Sequence, residues 1–234
     1  MALSARLLVA VVTSSLVLSG CGSASEPSPP TGIDELVIPT PSLDPADFID
    51  RIDNPWLPLA AGTEWMYRRT IDDDGGLITV TVLDETREVQ GVTATVVLES
   101  IADERGRTID GTTAWFAQDD DGNVWRLGEE GSWEAGVDGA EAGLAMPARP
   151  RVGDGFRQEY AEGVAEDRSE VLSLDGSASV PWNDLTGLLE TEDSSPLEPG
   201  VVKRTLYARD VGLVRQQTVS GGDELVELLS FMQR

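Results

Sequence analysis

Polar and aromatic side chains are concentrated on either side of an irregular segment in the second half of the chain. Carboxylates, a guanidinium and aromatic faces together could bind a sugar or a small cation, because aromatic rings attract positive charge and stack on apolar surfaces. Such a rim would form if the strands that flank residues 136–155 converge. The candidate ligand-binding residues are Trp133, Glu134, Asp138, Arg157, Glu159 and Tyr160, with Glu166 and Asp167 beside them.

The same residues also have a purely structural interpretation. Arg157 could pair with Glu159 or Glu166 and so hold the irregular segment in place. Trp133 could fill one end of a barrel, as large aromatic side chains commonly do. On this interpretation the cluster stabilises the fold and binds nothing.

Two pairs of carboxyl groups could instead perform glycoside hydrolysis, which needs one acid and one nucleophile or base. The pairs are Glu134 with Glu159, and Glu166 with Asp167. That chemistry depends on the distance between the two carboxyls, and a chain with 42 acidic residues contains many such pairs. A hydrolase is therefore the alternative to a binding role.

Two aspartate-rich turns resemble fragments of calcium-binding loops, at residues 72–75 and 119–123. An EF-hand loop carries Glu at its twelfth position, which falls on Glu130 when counted from Asp119. The flanking segments have the pattern of strands and not of helices, which favours plain hairpin turns. Weak Ca²⁺ binding is left open, and no other metal or cofactor is predicted.

The composition excludes several classes of chemistry. The chain has no histidine and one cysteine, so Ser-His-Asp triads, Cys-His pairs and histidine-based metal sites cannot form, and neither can an intramolecular disulfide. The 42 acidic and 17 basic side chains give a formal charge of −25, which repels phosphate backbones. Nucleic-acid binding is therefore excluded.

The first residues have the pattern of a bacterial lipoprotein signal peptide. Arg6 precedes an apolar stretch, residues 7–18, that is shorter than the roughly 20 residues of a membrane span. Small residues at positions 19 and 20 precede Cys21, and this ending resembles the lipobox. The resemblance implies cleavage before Cys21 and diacylglycerol on its thiol, which would anchor the protein at the extracytoplasmic face of the cell membrane. The alternative is an ordinary secretory signal that ends at a cysteine by chance.

Three regions follow along the chain. Residues 1–20 are the predicted signal peptide, and residues 21–46 are rich in Ser, Pro and small side chains. That composition cannot bury a core and is typical of an extended tether. Residues 47–234 are predicted to form one domain, since hydrophobic residues make up 40% of the chain and can supply a core.

Alternating apolar and polar residues dominate the chain from Phe48 onward, as they do in antiparallel sheets. Ile78, Val80 and Val82, for example, would share one face of a strand. Turn-forming residues separate these stretches at 74–76, 90–91, 121–123, 210–212 and 221–222. The predicted strands are residues 64–70, 77–83, 92–100, 113–118, 123–127, 169–174, 185–191, 201–208, 213–219 and 224–231.

This spacing of strands predicts a mainly β fold. We expect a single antiparallel β domain that curves into a barrel or half-barrel meander, lipocalin-like or lipoprotein-carrier-like, with a sandwich as the alternative. Residues 223–231 could instead form a short amphipathic helix, but Gly221 and Gly222 favour a hairpin. Residues 136–155 are predicted to form a long ordered loop across one end of the sheet.

Several aromatic residues lie on or beside the predicted strands and are expected in the core or in a cavity wall. In a curved half-barrel they would line a hydrophobic concavity able to hold an acyl chain, an expectation that rests on analogy of fold. These residues are Trp56, Trp65, Tyr67, Trp115, Phe116 and Trp125.

Two motifs carry a resemblance to a known family. Residues 54–67 are NPWLPLAAGTEWMY, and residues 131–140 are GSWEAGVDGA. With these motifs the chain resembles a family of bacterial exported proteins and lipoproteins whose domain opens with NP-aromatic-x-PL-x-x-GT-x-W-x-Y, and the likeness extends to Val214. The family has no assigned activity, so the resemblance implies export and supplies no mechanism.

These features predict a membrane-anchored cell-envelope lipoprotein that is a non-enzymatic binding or scaffold module for a lipid, glycan or protein partner. The membrane is one expected partner, through the lipid anchor, and a hydrophobic or glycan ligand is the other. The alternative is a carboxylate-based hydrolase acting on envelope polysaccharide. A binding module predicts a concavity lined by Trp and Tyr, whereas the hydrolase predicts an open cleft with two carboxyls about 5–10 Å apart.

Overall fold

The computed structural model describes residues 43–72 and 74–233. The predicted signal peptide, the lipidation at Cys21 and the tether up to residue 42 lie outside the described residues. The described chain begins with a single 3₁₀ turn at Pro45–Asp47, where the Asp44 carboxylate accepts a hydrogen bond from the Ala46 N–H at 3.0 Å. None of the helical turns in this part of the chain is long and apolar enough to cross a membrane.

The described residues form one antiparallel sheet of 14 strands. Each predicted strand overlaps one of these, and several run further than predicted. The strands are β1 (Phe48–Ile49), β2 (Glu64–Ile71), β3 (Asp74–Val89), β4 (Val92–Asp103), β5 (Thr108–Asp119), β6 (Val124–Glu129), β7 (Trp133–Glu134), β8 (Gly143–Met146), β9 (Gly155–Arg157), β10 (Arg168–Ser179), β11 (Asp184–Ser194), β12 (Val202–Ala208), β13 (Gly212–Ser220) and β14 (Leu225–Met232).

Two meanders join in the middle of the sheet. The strand order is β7-β6-β5-β4-β3-β2-β14-β13-β12-β11-β10-β9, so β2 and β14, far apart in sequence, are neighbours. They pair antiparallel, with Trp65 opposite Phe231 and Tyr67 opposite Leu228. The continuous sheet confirms the predicted single antiparallel β domain. The pairing of β13 with β14 confirms that the last segment is a strand in a hairpin and not a helix.

The sheet curves until its two ends approach each other without completing a closed ladder in the described chain. Near one end, Arg126 on β6 places its Nη1 2.6 Å from Oε2 of Glu159, which precedes β10 at the other end. Glu141 and Tyr160 form an isolated antiparallel bridge in the same region. The inner face of the sheet is therefore concave.

The prediction that residues 136–155 form a loop is wrong in part. Gly143–Met146 forms β8, which pairs antiparallel with β6, and β9 begins at Gly155. Leu144 and Met146 are buried there, which draws the segment onto the sheet. A Cβ at Gly143 would lie 2.1 Å from the Gln158 carbonyl oxygen, so only glycine allows the two backbones to approach this closely.

Glycine explains one correct and one wrong turn prediction. Gln90 and Gly91 have φ of 50° and 83°, as the two central residues of a type I′ hairpin turn require. The predicted turn at residues 74–76 is wrong, because Asp74 and Gly76 pair with Ile71 and Arg69 inside the β2–β3 hairpin. A Cβ at Gly76 would lie 2.7 Å from the Ala102 carbonyl oxygen, so glycine serves close strand packing there.

The Asn-Pro-Trp motif at the start of the domain has a structural role. Asn54 is 2% exposed, and its Nδ2 donates hydrogen bonds to the carbonyl oxygens of Gly122 at 2.9 Å and Pro147 at 3.2 Å. Its Oδ1 accepts from the Trp56 N–H at 2.8 Å. One buried amide thus ties the entering chain to the β5–β6 turn and to the segment that follows β8.

Because β14 joins the two meanders, its fully buried Leu228 is a sensitive probe of the fold. Leu228→Ala is expected to lower the free energy of unfolding by about 2–5 kcal/mol, the usual cost of truncating a buried leucine. Leu197→Ala, on a side chain that is 43% exposed, should change it by less than about 0.5 kcal/mol. Urea unfolding measures the free energy of unfolding of both variants. Equal losses in the two variants would contradict a major contribution of β14 to the stability of the fold.

Candidate functional site

The concave face of the sheet forms a cavity of about 560 Å³. Its walls come from both meanders, chiefly β2 to β5 on one side and β12 to β14 on the other. The volume falls within the range of about 300–1,000 Å³ that small-molecule sites occupy. Much of its lining is apolar, including the aromatic Trp65, Tyr67 and Phe116 and the aliphatic Ile78, Val97 and Val226.

The alternation of side chains along the strands places these residues on one face. Trp65 and Tyr67 are two positions apart on β2, and so lie on the same side of the sheet. Directly opposite residues on neighbouring strands share that side, and here Trp65 faces Val80 while Tyr67 faces Ile78. The cavity wall is therefore a direct consequence of the period-2 pattern and the register of β2 with β3.

The polar ends of the two cavity aromatics on β2 are already satisfied by the backbone. Trp65 Nε1 donates to the Val211 carbonyl oxygen at 2.6 Å, and Tyr67 Oη donates to the Leu213 carbonyl oxygen at 3.1 Å. Burial raises the pKa of Tyr67 well above its usual value, so the hydroxyl stays a donor. Both rings are held in place and offer the cavity only their apolar surfaces.

The aromatic residues predicted to lie in the core or in a cavity wall divide into two groups. Trp65, Tyr67 and Phe116 line the cavity. Trp56, Trp115 and Trp125 do not line it, and all three are buried elsewhere in the core. Arginines cover two of these rings, with Arg209 4.2 Å from the Trp56 ring centre and Arg87 4.1 Å from that of Trp115.

Charged side chains also line the cavity, and the cations among its described lining residues are paired. Arg69 Nε lies 2.6 Å from Oε1 of Glu224, and Lys203 Nζ lies 3.8 Å from Oε2 of the same glutamate. Arg126 pairs with Glu129 and with Glu159.

Two cavity carboxylates, Glu99 and Asp167, make no side-chain hydrogen bond or ion pair with any described residue. Burial raises the pKa of Glu99, against the opposing effect of Arg126 and Arg69. Glu99 is thus a half-buried carboxyl group in largely apolar surroundings without a partner, a combination that the sequence pattern did not single out.

The residues predicted to form a binding rim make separate local contacts with their neighbours. Arg157 pairs with Glu141 at 3.0 Å, and not with Glu159 or Glu166 as the structural interpretation supposed, and its guanidinium lies 4.3 Å from the centre of the Tyr160 ring. Their capacity to bind a ligand stays a prediction.

Trp133 and Glu159 lie together at the closure of the sheet. Both are buried, and the Trp133 indole N–H lies near the Glu159 carboxylate without completing a hydrogen bond of normal geometry. Burial raises the pKa of Glu159, while Arg126 and the nearby indole oppose the shift. The remaining candidate, Asp138, is exposed at a turn where its φ is 51°.

The carboxyl pairs considered for glycoside hydrolysis are engaged in other contacts. Glu134 accepts from Arg87 at 2.5 Å, whereas Glu159 pairs with Arg126. Glu166 accepts a hydrogen bond from the Gly163 N–H at 2.8 Å. The two carboxyls of the first pair are therefore held by different arginines.

The second aspartate-rich turn is a hairpin whose carboxylate serves the fold. Asp119 accepts from the Asn123 N–H at 2.7 Å, from Asn123 Nδ2 at 2.9 Å and from Trp125 Nε1 at 2.8 Å. In the first turn, Asp73 lies outside the described residues. Within the described ranges, no group of three or more His, Cys, Asp or Glu side chains is placed to hold a metal ion.

A buried carboxyl network lies on the second meander and was also missed from the sequence. Asp193 accepts hydrogen bonds from the hydroxyls of Ser169, Thr191 and Thr205 at 2.7, 3.0 and 2.5 Å. Burial raises the pKa of Asp193, and the three hydroxyl donors partly offset that shift. Three hydroxyl residues at buried strand positions are the signal that could have revealed it, since buried hydroxyls need partners.

Comparison with known proteins yields two solved structures. One is a protein from Bacteroides fragilis inferred to be exported, with a YmcC-like fold, at a TM-score of 0.48 and 14% identity, covering 76% of this chain and 99% of that one. The other is a protein from Parabacteroides distasonis inferred to be a lipoprotein, at a TM-score of 0.47 and 13% identity with the same coverage. No protein-family model and no curated protein sequence matches the chain. At these TM-scores the similarities assign no activity to it.

The raised pKa of Asp193 predicts how the stability of the protein depends on pH. Between the unfolded-state and folded-state pKa values of Asp193, the folded protein keeps a proton on this carboxyl that the unfolded chain has lost. The stabilisation that Asp193 provides therefore decreases as the pH rises through this range. The free energy of unfolding of wild type relative to Asp193→Asn should therefore increase as pH is lowered from neutral towards 4.5. Urea unfolding at several pH values tests this, and a difference that shrinks on acidification would contradict it.

Proposed function

We propose that the protein is a cell-envelope lipoprotein, anchored to the extracytoplasmic face of the membrane through Cys21, that binds the apolar part of an amphiphilic ligand in the cavity of its curved sheet. The cavity is the observation that carries this proposal, because its volume and aromatic lining suit a small apolar group. The sequence pattern that ends at Cys21, followed by the Ser- and Pro-rich residues up to 46, supports the address and the tether.

A binding role fits the cavity better than hydrolysis does. The carboxylates beside Arg126 are held in ion pairs, whereas the apolar wall has no partner among the described residues that would fill it. Transferring an apolar ligand from water to a cavity with such a wall is favourable by roughly 25 cal/mol per Å² of buried apolar surface. The ligand proposed here is therefore bound mainly by its hydrophobic part.

Filling the cavity tests the proposal. Ala114 lines it, and Ala114→Phe should weaken binding of dodecyl maltoside, a nonionic amphiphile, by about tenfold or more, which equals about 1.4 kcal/mol. Calorimetric titration below the micelle concentration measures this on the full chain carrying Cys21→Ser, so that no acyl group competes for the site.

The matched control for the filled cavity is Thr113→Phe, which puts the same ring on the opposite face of β5. It should leave the affinity unchanged, and thermal unfolding of both variants checks that they are folded. No saturable binding by the unfilled chain, or equal binding by the two variants, would overturn the cavity as the ligand site.

The anchor is tested separately by fractionating bacteria that express the full chain. The unmodified chain should sediment with membranes as a mature form that begins at an acylated Cys21, because the acyl chains supply the membrane affinity. Cys21→Ser should lose both the acylation and the membrane association, whereas Ser25→Ala, just beyond the cleavage position, should retain both. Mass spectrometry of the mature amino terminus reads the outcome, and a membrane-bound Cys21→Ser protein would refute the anchor.

A further inference from the structure

The half-buried carboxylate of Glu99 lies within the apolar wall of the cavity. On β4 it is flanked on the same face by Val97 and Ile101, both of which line the cavity. Across the ladder it faces Val80 on β3 and Thr112 on β5. No described side chain donates a hydrogen bond to it.

The other charges around the cavity leave a negative group unmatched. Arg69 and Lys203 share Glu224, and Arg126 lies between Glu129 and Glu159. Each described cation of the lining therefore has a carboxylate partner, so the unmatched groups are acidic. An anionic head group would have to displace one of these pairs, whereas a cationic one would meet a free carboxylate.

Leaving a carboxylate partly buried without a partner is costly, because burial penalises its charged form. For Glu99 this raises the pKa, with Arg126 and Arg69 lowering it and Glu224 and Asp110 raising it further. A ligand group that brings both positive charge and N–H donors would remove that cost. A primary ammonium group supplies both.

We infer that the cavity is selective for amphiphiles whose polar end carries a primary ammonium group, and that Glu99 accepts its hydrogen bond. This inference rests on the proposed function, since it assigns the head-group chemistry of the ligand bound in the same cavity. The apolar chain lies against Trp65 and Phe116, and the ammonium lies at Glu99. The selectivity comes from charge and donor geometry, and the bulk of the affinity comes from the apolar wall.

Three amphiphiles with the same chain separate head-group selectivity from hydrophobic binding. Dodecylammonium, dodecyl maltoside and dodecyl sulfate are titrated calorimetrically into the full chain with Cys21→Ser, each below its micelle concentration. Dodecylammonium should bind about tenfold more tightly than the maltoside, since hydrogen bonds to charged groups exceed neutral ones by about that much. The sulfate should bind more weakly than both.

The decisive variant is Glu99→Gln, which keeps the shape of the side chain and removes its charge. It should reduce dodecylammonium affinity about tenfold and leave dodecyl maltoside affinity unchanged, which also shows that the variant is folded. The control is Glu85→Gln, at an exposed position on β3. It changes the net charge of this strongly acidic chain by the same amount as Glu99→Gln does. That variant should change neither affinity.

The outcomes separate this inference from the proposed function. Binding of all three amphiphiles with equal affinity, or loss of dodecylammonium affinity in Glu85→Gln as large as in Glu99→Gln, would overturn the inference and leave the apolar cavity standing. No binding of any amphiphile would overturn both. Lysophosphatidylethanolamine, as a fourth probe, distinguishes an amine on a phospholipid head from a simple long-chain amine, provided that its binding shows the same dependence on Glu99.

Discussion

The pairing of β2 with β14 is the interaction on which the rest of the structure depends. Each meander alone would be a sheet with an exposed edge, and such edges are prone to pair with other chains. Joining them antiparallel covers both edges and makes one continuous surface from β7 to β9. The cavity exists because that surface is long enough to curve, with Trp65 and Tyr67 on β2 at its centre.

The ends of the curved sheet are held by polar contacts and not by a closed ladder. Arg126 reaches Glu159 there, and the Glu141–Tyr160 bridge lies close by. Arg126 also lines the cavity, so the same guanidinium belongs to the closure of the sheet and to the binding surface. This arrangement keeps the cavity's cations paired, so the lining carboxylates left without an ion pair to any described residue are Glu99 and Asp167.

Much of the fold could be predicted from the sequence, because alternation at period 2 and Gly-containing turns are local signals. The short strands β1, β7, β8 and β9 were missed, since two to four residues carry too little pattern. The candidate ligand-binding residues near residues 136–155 were predicted from the local concentration of acidic and aromatic side chains. The isolation of Glu99, however, depends on the register of three strands and on which carboxylate each arginine meets, and neither is local.

The position of the bound amphiphile, along the inner face of the sheet with its ammonium at Glu99, can be observed directly. Crystals of the full chain carrying Cys21→Ser, grown with 12-bromododecylammonium, locate both ends of the ligand: anomalous diffraction gives the bromine and the electron density gives the ammonium. We expect a bromine peak beside Trp65 or Phe116 and the nitrogen within about 4 Å of a Glu99 carboxylate oxygen, the range of an ion pair. A bromine peak on the convex face of the sheet, with the cavity empty, would contradict it.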